Sequence, residues 1–212
     1  MKSSVMSQNA PPADRRFAKL FNLPNQLTSL RLILSVILFG LIVREHYLSS
    51  LVLFIIASGT DWLDGYYARK YGQVTTLGRI LDPFADKVIV CGTFIFLAAI
   101  PAIKALPWGL QPWMVVVIVG RELLVTALRS FIEERGSDFS ANKSGKLKMV
   151  LQCVAAGVCL FYLHDLQATA AQAAPAWVWW LLVISVWSAV VLTVYSGVVY
   201  VLVAVRLLRA SM

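Results

Sequence analysis

The chain has 212 residues, of which 59% are hydrophobic and only 14% are charged, and its mean hydropathy is +0.74. These values exclude an ordinary soluble globular domain and favour an all-α protein that crosses a membrane several times. The formal net charge of +8 is typical of a membrane protein whose basic residues face anionic lipid head groups. Because there is no soluble basic domain, we expect no nucleic-acid partner.

The first 22 residues precede the apolar part of the chain. The segment 14–21 alternates basic and apolar residues, which predicts a short amphipathic helix lying in the membrane interface. For residues 1–12 a disordered basic tail is the alternative. We therefore divide the chain into an N-terminal tail with an interfacial helix, 1–22, and one membrane domain, 23–209.

Uncharged apolar runs occur six times, at 32–43, 47–60, 88–103, 105–120, 149–163 and 166–205. A membrane-spanning helix needs about 20 residues, so only the last run is long enough by itself. The prediction is nevertheless six transmembrane helices, because each shorter run can be lengthened through charged residues at one end.

The charged ends all fall on one side of an alternating bundle. The residues that lengthen the second to fifth runs are Asp61, Asp64, Asp82, Asp86, Arg121, Glu122, Lys146 and Lys148. Charged groups at membrane depth face the protein interior or water and mark functional sites. The sequence therefore predicts a polar cavity that opens to one face of the membrane.

The distribution of basic residues predicts which face this is. With a cytoplasmic N-terminus, the outer loops contain only Arg44 and Lys104 among the lysines and arginines. By the positive-inside rule, both termini and the cavity are then cytoplasmic. We expect a multi-pass protein of the cell inner (cytoplasmic) membrane.

Four carboxylates come from two consecutive segments. Asp61 and Asp64 are three residues apart, and Asp82 and Asp86 are four apart, so each pair shares one face of its helix. If the two antiparallel helices bring the pairs together, the carboxylates need cations, and an all-oxygen set suits Mg²⁺ or Mn²⁺. Two such ions support displacement at phosphorus. The alternative is a structural ion-pair network with nearby basic residues.

Small residues accompany the acids. Gly65, Ala68 and Gly78 would let a flat ligand approach the helix backbones, and Arg69 is available to a phosphate group. Close helix packing is the other explanation for small residues in membrane helices.

The spacing Asp-x2-Asp-Gly-x2-Ala-Arg-x8-Gly-x3-Asp-x3-Asp, from Asp61 to Asp86, resembles the signature of the CDP-alcohol phosphatidyltransferase family at every fixed position. Further segments resemble its phosphatidylglycerophosphate synthase branch: Pro24–Arg31, Thr60–Gly65, Leu81–Lys87, Arg121–Glu122 and Gly145–Lys148. The chain departs from that branch at Met149, where threonine is usual.

The resemblance implies transfer of a phosphatidyl group from CDP-diacylglycerol to glycerol 3-phosphate, in a homodimer. It implies that Asp61, Asp64 and Asp82 hold two metal ions with Asp86 at their edge, and that Asp86 is the general base. It also implies contacts to the CDP-diacylglycerol substrate from Asn25, Thr28, Gly65, Arg69 and Thr75.

The implied acceptor is an anion and needs cations. Arg121, Lys146 and Lys148 lie at the expected depth, although positive-inside anchoring also explains lysines there. One alternative function is a sibling enzyme with another acceptor, such as a cardiolipin synthase or an inositol-phosphate or serine transferase. A more remote alternative is a divalent-cation transporter.

Overall fold

The computed structural model describes residues 23–71, 76–134, 143–169 and 174–210, and all regular elements in these ranges are α-helices. In chain order they are α1 (Leu23–Val43), α2 (Tyr47–Tyr71), α3 (Thr76–Ala99), α4 (Pro101–Lys104), α5 (Pro112–Glu134), α6 (Lys143–Ala168) and α7 (Ala176–Ala210). The all-α class is confirmed. The interfacial helix predicted within 1–22 lies outside the described residues.

The helices continue through the charged ends of the apolar runs, as the sequence predicts. Helix α2 includes Asp61 and Asp64 without a break, and α3 begins before Asp82. Likewise, α5 continues past Arg121 and α6 begins before Lys148. The six long helices contain 21 to 35 residues, so each is at least about 30 Å long, which is the thickness of a bilayer core.

Two helical stretches of the described chain are both long and apolar enough to cross a membrane, namely Leu147–Ala168 and Ala176–Leu207. Shorter apolar helical stretches occur at Ser29–Val43, Tyr47–Gly59 and Lys87–Ala99. Two of the six predicted spans therefore meet both criteria, and the number six stays a prediction.

The turn between α1 and α2 makes these two helices antiparallel. Glu45 adopts a left-handed backbone conformation with φ of 60°. The backbone N–H of His46 donates to the carbonyl of Leu41 (2.9 Å), and that of Glu45 to the carbonyl of Ile42 (3.0 Å). This pair of bonds is the Schellman arrangement, which closes a helix and reverses the chain.

The fourth apolar run was predicted wrongly as a span that starts near residue 105. Residues 105–111 form turns, and α5 begins only at Pro112. The reason is local: proline is excluded from a helix interior at Pro107, and Trp108 has a left-handed φ of 62°. Both interruptions are apolar, so the composition of the run concealed them.

The bundle is built around α3, which contacts α1, α2, α5 and α6. The most extensive contacts are between α6 and α7 and between α1 and α3. The main core includes fully buried Phe54, Phe94 and Leu160. A smaller cluster, with Val125 and Tyr200 among its members, joins the second halves of α5 and α7.

The distribution of polarity is that of a membrane protein. Large apolar side chains are exposed, for example Val36 (70%), Val116 (71%) and Ile184 (63%), whereas Ser35 and Thr93 are fully buried. These hydroxyls donate to carbonyls of their own helices, 2.8 Å from Ser35 Oγ to Arg31 O and 2.7 Å from Thr93 Oγ1 to Ile89 O. Internal satisfaction of polar groups is what a bilayer requires.

Candidate active site

The four aspartates lie on two neighbouring helices. Asp61 and Asp64 belong to the second half of α2, and Asp82 and Asp86 to the first half of α3. The two helices contact one another, and only residues 72–75 separate them in the chain. Their side chains are outside the described part of the structure, so their convergence stays a prediction. A donor set of four carboxylates fits Mg²⁺ or Mn²⁺ by its chemistry.

The other predicted contacts are placed by backbone only. Asn25 and Thr28 lie in α1, Gly65, Ala68 and Arg69 in α2, Gly78 in α3, and Lys146 in α6. Thr75 lies outside the described residues. Their roles therefore stay predictions. Of the three predicted acceptor cations, Arg121 and Lys148 have side chains in the described part of the structure.

Glu122 of α5 is the centre of a buried charge cluster. Its Oε1 accepts hydrogen bonds from Lys148 Nζ of α6 and from Arg121 Nη1 at 3.3 Å. The side chains of Arg121, Glu122 and Lys148 are only 8%, 12% and 7% exposed. Two cations thus share one carboxylate, which leaves the cluster with a net positive charge.

A glutamine connects this cluster to α7. Gln152 lies one turn after Lys148 on α6, and its Nε2 is 3.5 Å from Glu122 Oε1. The same nitrogen donates to Thr193 Oγ1 of α7 at 3.0 Å. Because an amide nitrogen carries two hydrogens, both bonds can exist together. Three helices are therefore joined at the cluster.

The guanidinium of Arg121 contacts a tyrosine ring on one face and a carboxylate through one of its nitrogens. Its Cζ lies 5.3 Å from the centroid of the Tyr200 ring, within the range of a cation–π contact. Its Nη1 bonds Glu122, whereas Nε and Nη2 are buried and have no hydrogen-bond partner among the described residues. These two nitrogens form one edge of the planar group, the geometry that binds an oxyanion with two parallel hydrogen bonds.

The cluster is close to the acid-bearing part of α3. The charges of Glu122, Lys148 and Lys87 act on the thiol of Cys91, which places α3 beside the cluster. Cys91 follows Asp86 by five residues in the same helix, and this corresponds to about 7–8 Å along the axis. The cationic cluster and the aspartate segment are thus neighbours.

Met149, the position of the departure from the branch, lines a small cavity between α1, α2, α3 and α6. The cavity measures about 10 Å³, and its wall also includes Arg31, Ser58 and Cys153. The Ser58 hydroxyl is buried and has no hydrogen-bond partner among the described residues. A space of this size holds about one water molecule.

Sequence reasoning identified Arg121 and Lys148 but missed the residues that hold them. Gln152 had a usable signal, since it is a polar residue one helical turn from Lys148 within an apolar run. Thr193 and Tyr200 had none, because they lie in the longest apolar run and meet the cluster only through tertiary packing.

The fold and the cluster define an all-helical membrane protein with a buried, net cationic site beside an aspartate-rich helix pair. The family model of CDP-alcohol phosphatidyltransferase matches residues 21–195. The chain belongs to this family.

Curated relatives named CDP-diacylglycerol–glycerol-3-phosphate 3-phosphatidyltransferase agree with the match, as three examples show. The Bacillus subtilis protein is 38% identical over 69% of this chain and 79% of its own length. The Haemophilus influenzae protein is 35% identical over 71% of this chain and 82% of its own length. The Rickettsia felis protein is 34% identical over 66% of this chain and 75% of its own length.

Proposed function

We propose that this chain transfers the phosphatidyl group of CDP-diacylglycerol to glycerol 3-phosphate, which yields phosphatidylglycerol phosphate and CMP. The family match and the names of the relatives support the reaction. The structural observation that carries the choice of acceptor is the buried edge of Arg121, with Nε and Nη2 unpartnered among the described residues.

This edge suits a phosphate monoester. A buried donor without a partner costs about 1–3 kcal/mol, and more when it is charged, so two adjacent donors on one guanidinium favour the binding of an anion at this edge. Lys148 uses one of its three donors on Glu122, and its remaining donors can reach the same ligand. Lys146, two residues earlier in α6, is assigned to the same acceptor subsite by the family resemblance.

The donor substrate is assigned to the aspartate-bearing helices. Asp61, Asp64, Asp82 and Asp86 would hold two divalent ions, Mg²⁺ or Mn²⁺, which neutralise the pyrophosphate and the departing CMP. Nucleotide and pyrophosphate contacts are assigned to Asn25, Thr28, Gly65, Ala68, Arg69, Thr75 and Gly78. Gly65, Ala68 and Gly78 leave the backbone accessible to a flat ligand, and Arg69 supplies a cation for a phosphate.

The reaction is a displacement at phosphorus. The Asp86 carboxylate takes the proton from the 1-hydroxyl of glycerol 3-phosphate, and that oxygen forms a bond to the phosphorus that bears diacylglycerol. The bond from this phosphorus to the CMP oxygen breaks, and its electron pair leaves with CMP. A carboxylate is a weak base, so Asp86 acts chiefly through its position.

The orientation and assembly are part of the proposal. The protein lies in the inner (cytoplasmic) membrane. Both termini and the cavity face the cytoplasm, because the basic residues concentrate on that side. We also propose six spans and a homodimer, as the family resemblance implies.

CMP release tests the assignment. Purified protein in detergent receives CDP-diacylglycerol and Mg²⁺ with glycerol 3-phosphate, inositol 1-phosphate, serine or phosphatidylglycerol in separate reactions, and a parallel set contains a chelator. We expect metal-dependent release with glycerol 3-phosphate alone. Release with another alcohol would assign a sibling reaction, and no release with any acceptor would favour a cation transporter.

A further inference from the structure

We propose that the second half of α7 positions the acceptor cations, with Thr193, Gly197 and Tyr200 as positioning residues. The inference rests on the proposed function, because the readout is the use of glycerol 3-phosphate. The family model matches residues 21–195, so Gly197 and Tyr200 lie beyond the matched part of the chain, although they contact a group at the site.

Tyr200 fixes the plane of the Arg121 guanidinium. The ring centroid lies 5.3 Å from Arg121 Cζ, and Tyr200 is itself only 5% exposed, within the smaller core cluster with Val125 and Ala204. A ring that is locked by packing can hold a cation in one orientation. Because Nη1 is also bonded to Glu122, the direction of the edge formed by Nε and Nη2 is fixed.

Gly197 makes room for the arginine stem. A Cβ atom at this position would lie 3.0 Å from Arg121 Cγ and 3.9 Å from Nε. The first distance is tighter than ordinary van der Waals contact. Since Cγ is close to the backbone of α5, the side chain could yield only by moving its guanidinium. Glycine thus permits the close approach of α7 to Arg121.

Thr193 acts through Gln152. Its hydroxyl oxygen accepts one hydrogen of the Gln152 amide at 3.0 Å, so that the other hydrogen is directed to Glu122 Oε1 at 3.5 Å. Thr193 is fully buried and Gln152 is only 2% exposed, so the amide of the glutamine cannot turn to solvent instead. The contact sets the position of the carboxylate that both cations share.

The experiment measures steady-state kinetics of the full-length protein with glycerol 3-phosphate and CDP-diacylglycerol varied separately. For Tyr200→Leu we expect a rise of about 2- to 30-fold in KM for glycerol 3-phosphate, the range of a cation–π contact. Thr193→Val should raise it about 2- to 10-fold, the range of one hydrogen bond. Gly197→Ala should raise it as well. In all three variants, the KM for CDP-diacylglycerol should stay unchanged.

Matched variants separate positioning from simple packing. Thr93→Val also removes a fully buried hydroxyl, but this hydroxyl donates to Ile89 O of its own helix and not to the charge cluster. Gly120→Ala adds a methyl group next to Arg121 in sequence, but no described atom beyond its chain neighbours and the nearby backbone of its own helix lies within 4 Å of that methyl group. Both controls should keep the wild-type KM for glycerol 3-phosphate. Tyr200→Phe keeps the ring and should restore most of the loss seen in Tyr200→Leu.

Ligand-induced stabilisation gives a second readout. Glycerol 3-phosphate should raise the Tm of the wild type and of Thr93→Val, and raise that of Gly197→Ala less. Unchanged acceptor KM values in the three α7 variants, or equal rises in both KM values, would overturn the inference. If the wild type uses a different acceptor and these variants raise its KM, the positioning role stands while the proposed acceptor falls.

Discussion

Arg121 shows at the scale of one residue why a buried cation is retained in an apolar bundle. Its side chain is 8% exposed, and two of its three nitrogens have no hydrogen-bond partner among the described residues. A purely structural arginine would be expected to satisfy these donors, because an unpaired buried group is costly. The two unpartnered donors are what the proposed acceptor-binding role of Arg121 requires.

Arg121→Gln should raise KM for glycerol 3-phosphate by about 10- to 100-fold, the range for hydrogen bonds to charged groups, with a smaller effect on KM for CDP-diacylglycerol. Steady-state kinetics with each substrate varied in turn would measure this. Arg44→Gln, in the exposed turn after α1, is the matched control and should behave as wild type. Equal effects of the two substitutions would refute the assigned role.

Glu122 is the carboxylate that the buried cations Arg121 and Lys148 share. Glu122→Gln leaves both cations uncompensated and should destabilise the fold by about 3–5 kcal/mol. Adding Lys148→Met to Glu122→Gln removes one of these two charges and should recover part of the resulting loss in Tm. Thermal unfolding in detergent would test this. Strictly additive losses in the double variant would show that the pair is not coupled.

At the scale of the element, the sequence predicted which helices continue through charged residues and missed what interrupts an apolar run. Helix α2 passes Asp61 and Asp64 because a short apolar run cannot span a bilayer without them. The turns at 105–111 were missed because Pro107 and Trp108 count as apolar in a run defined by charge. Gly109 was a further turn signal in the same segment.

The sequence predicted only those site residues whose charge distinguishes them from an apolar run. Arg121 and Lys148 stand out as charges, whereas Thr193 and Tyr200 are ordinary members of a long apolar helix. Thr193 follows Gln152 by 41 residues, so the pairing depends on how α6 and α7 pack. The pattern of residues within one helix does not predict which residues of α6 lie opposite which residues of α7.

The turn before α5 is held to α7 by a tryptophan. The indole N–H of Trp187 donates to the carbonyl of Trp108 at 3.0 Å, and its ring lies 6.0 Å from that of Trp113. Trp187→Phe removes the hydrogen bond and keeps an aromatic ring, so stability should fall by about 1 kcal/mol. Both KM values should stay at the wild-type level. Thermal unfolding and kinetics on one preparation would test this, and a changed acceptor KM would contradict it.

For the whole molecule, the polarity is inverted relative to a water-soluble bundle. Apolar side chains such as Val116 and Val191 are exposed, while Arg121, Lys148 and Gln152 are inside. A bilayer explains both halves of the pattern, because it solvates apolar surface and forces polar groups to satisfy each other. The bundle thereby keeps the charged cluster in its interior.

The proposed orientation predicts which positions can be labelled from outside. In the proposed orientation, Lys104 at the end of α4 lies on the outer side and Arg206 lies near the cytoplasmic end of α7; both residues are exposed, and each is replaced by cysteine in turn. In intact cells, a membrane-impermeant maleimide should label the first and reach the second only after permeabilisation. Wild-type protein, which keeps its three cysteines, gives the background. The reverse pattern would contradict the orientation.

The most direct test of the central claim is the fate of radiolabelled glycerol 3-phosphate. Wild-type protein with CDP-diacylglycerol and Mg²⁺ should move the label into the lipid phase as phosphatidylglycerol phosphate, with one CMP released per labelled lipid. Asp86→Asn should abolish both products. Label that stays in the aqueous phase, while wild-type protein releases CMP with another alcohol or releases none, would contradict the account.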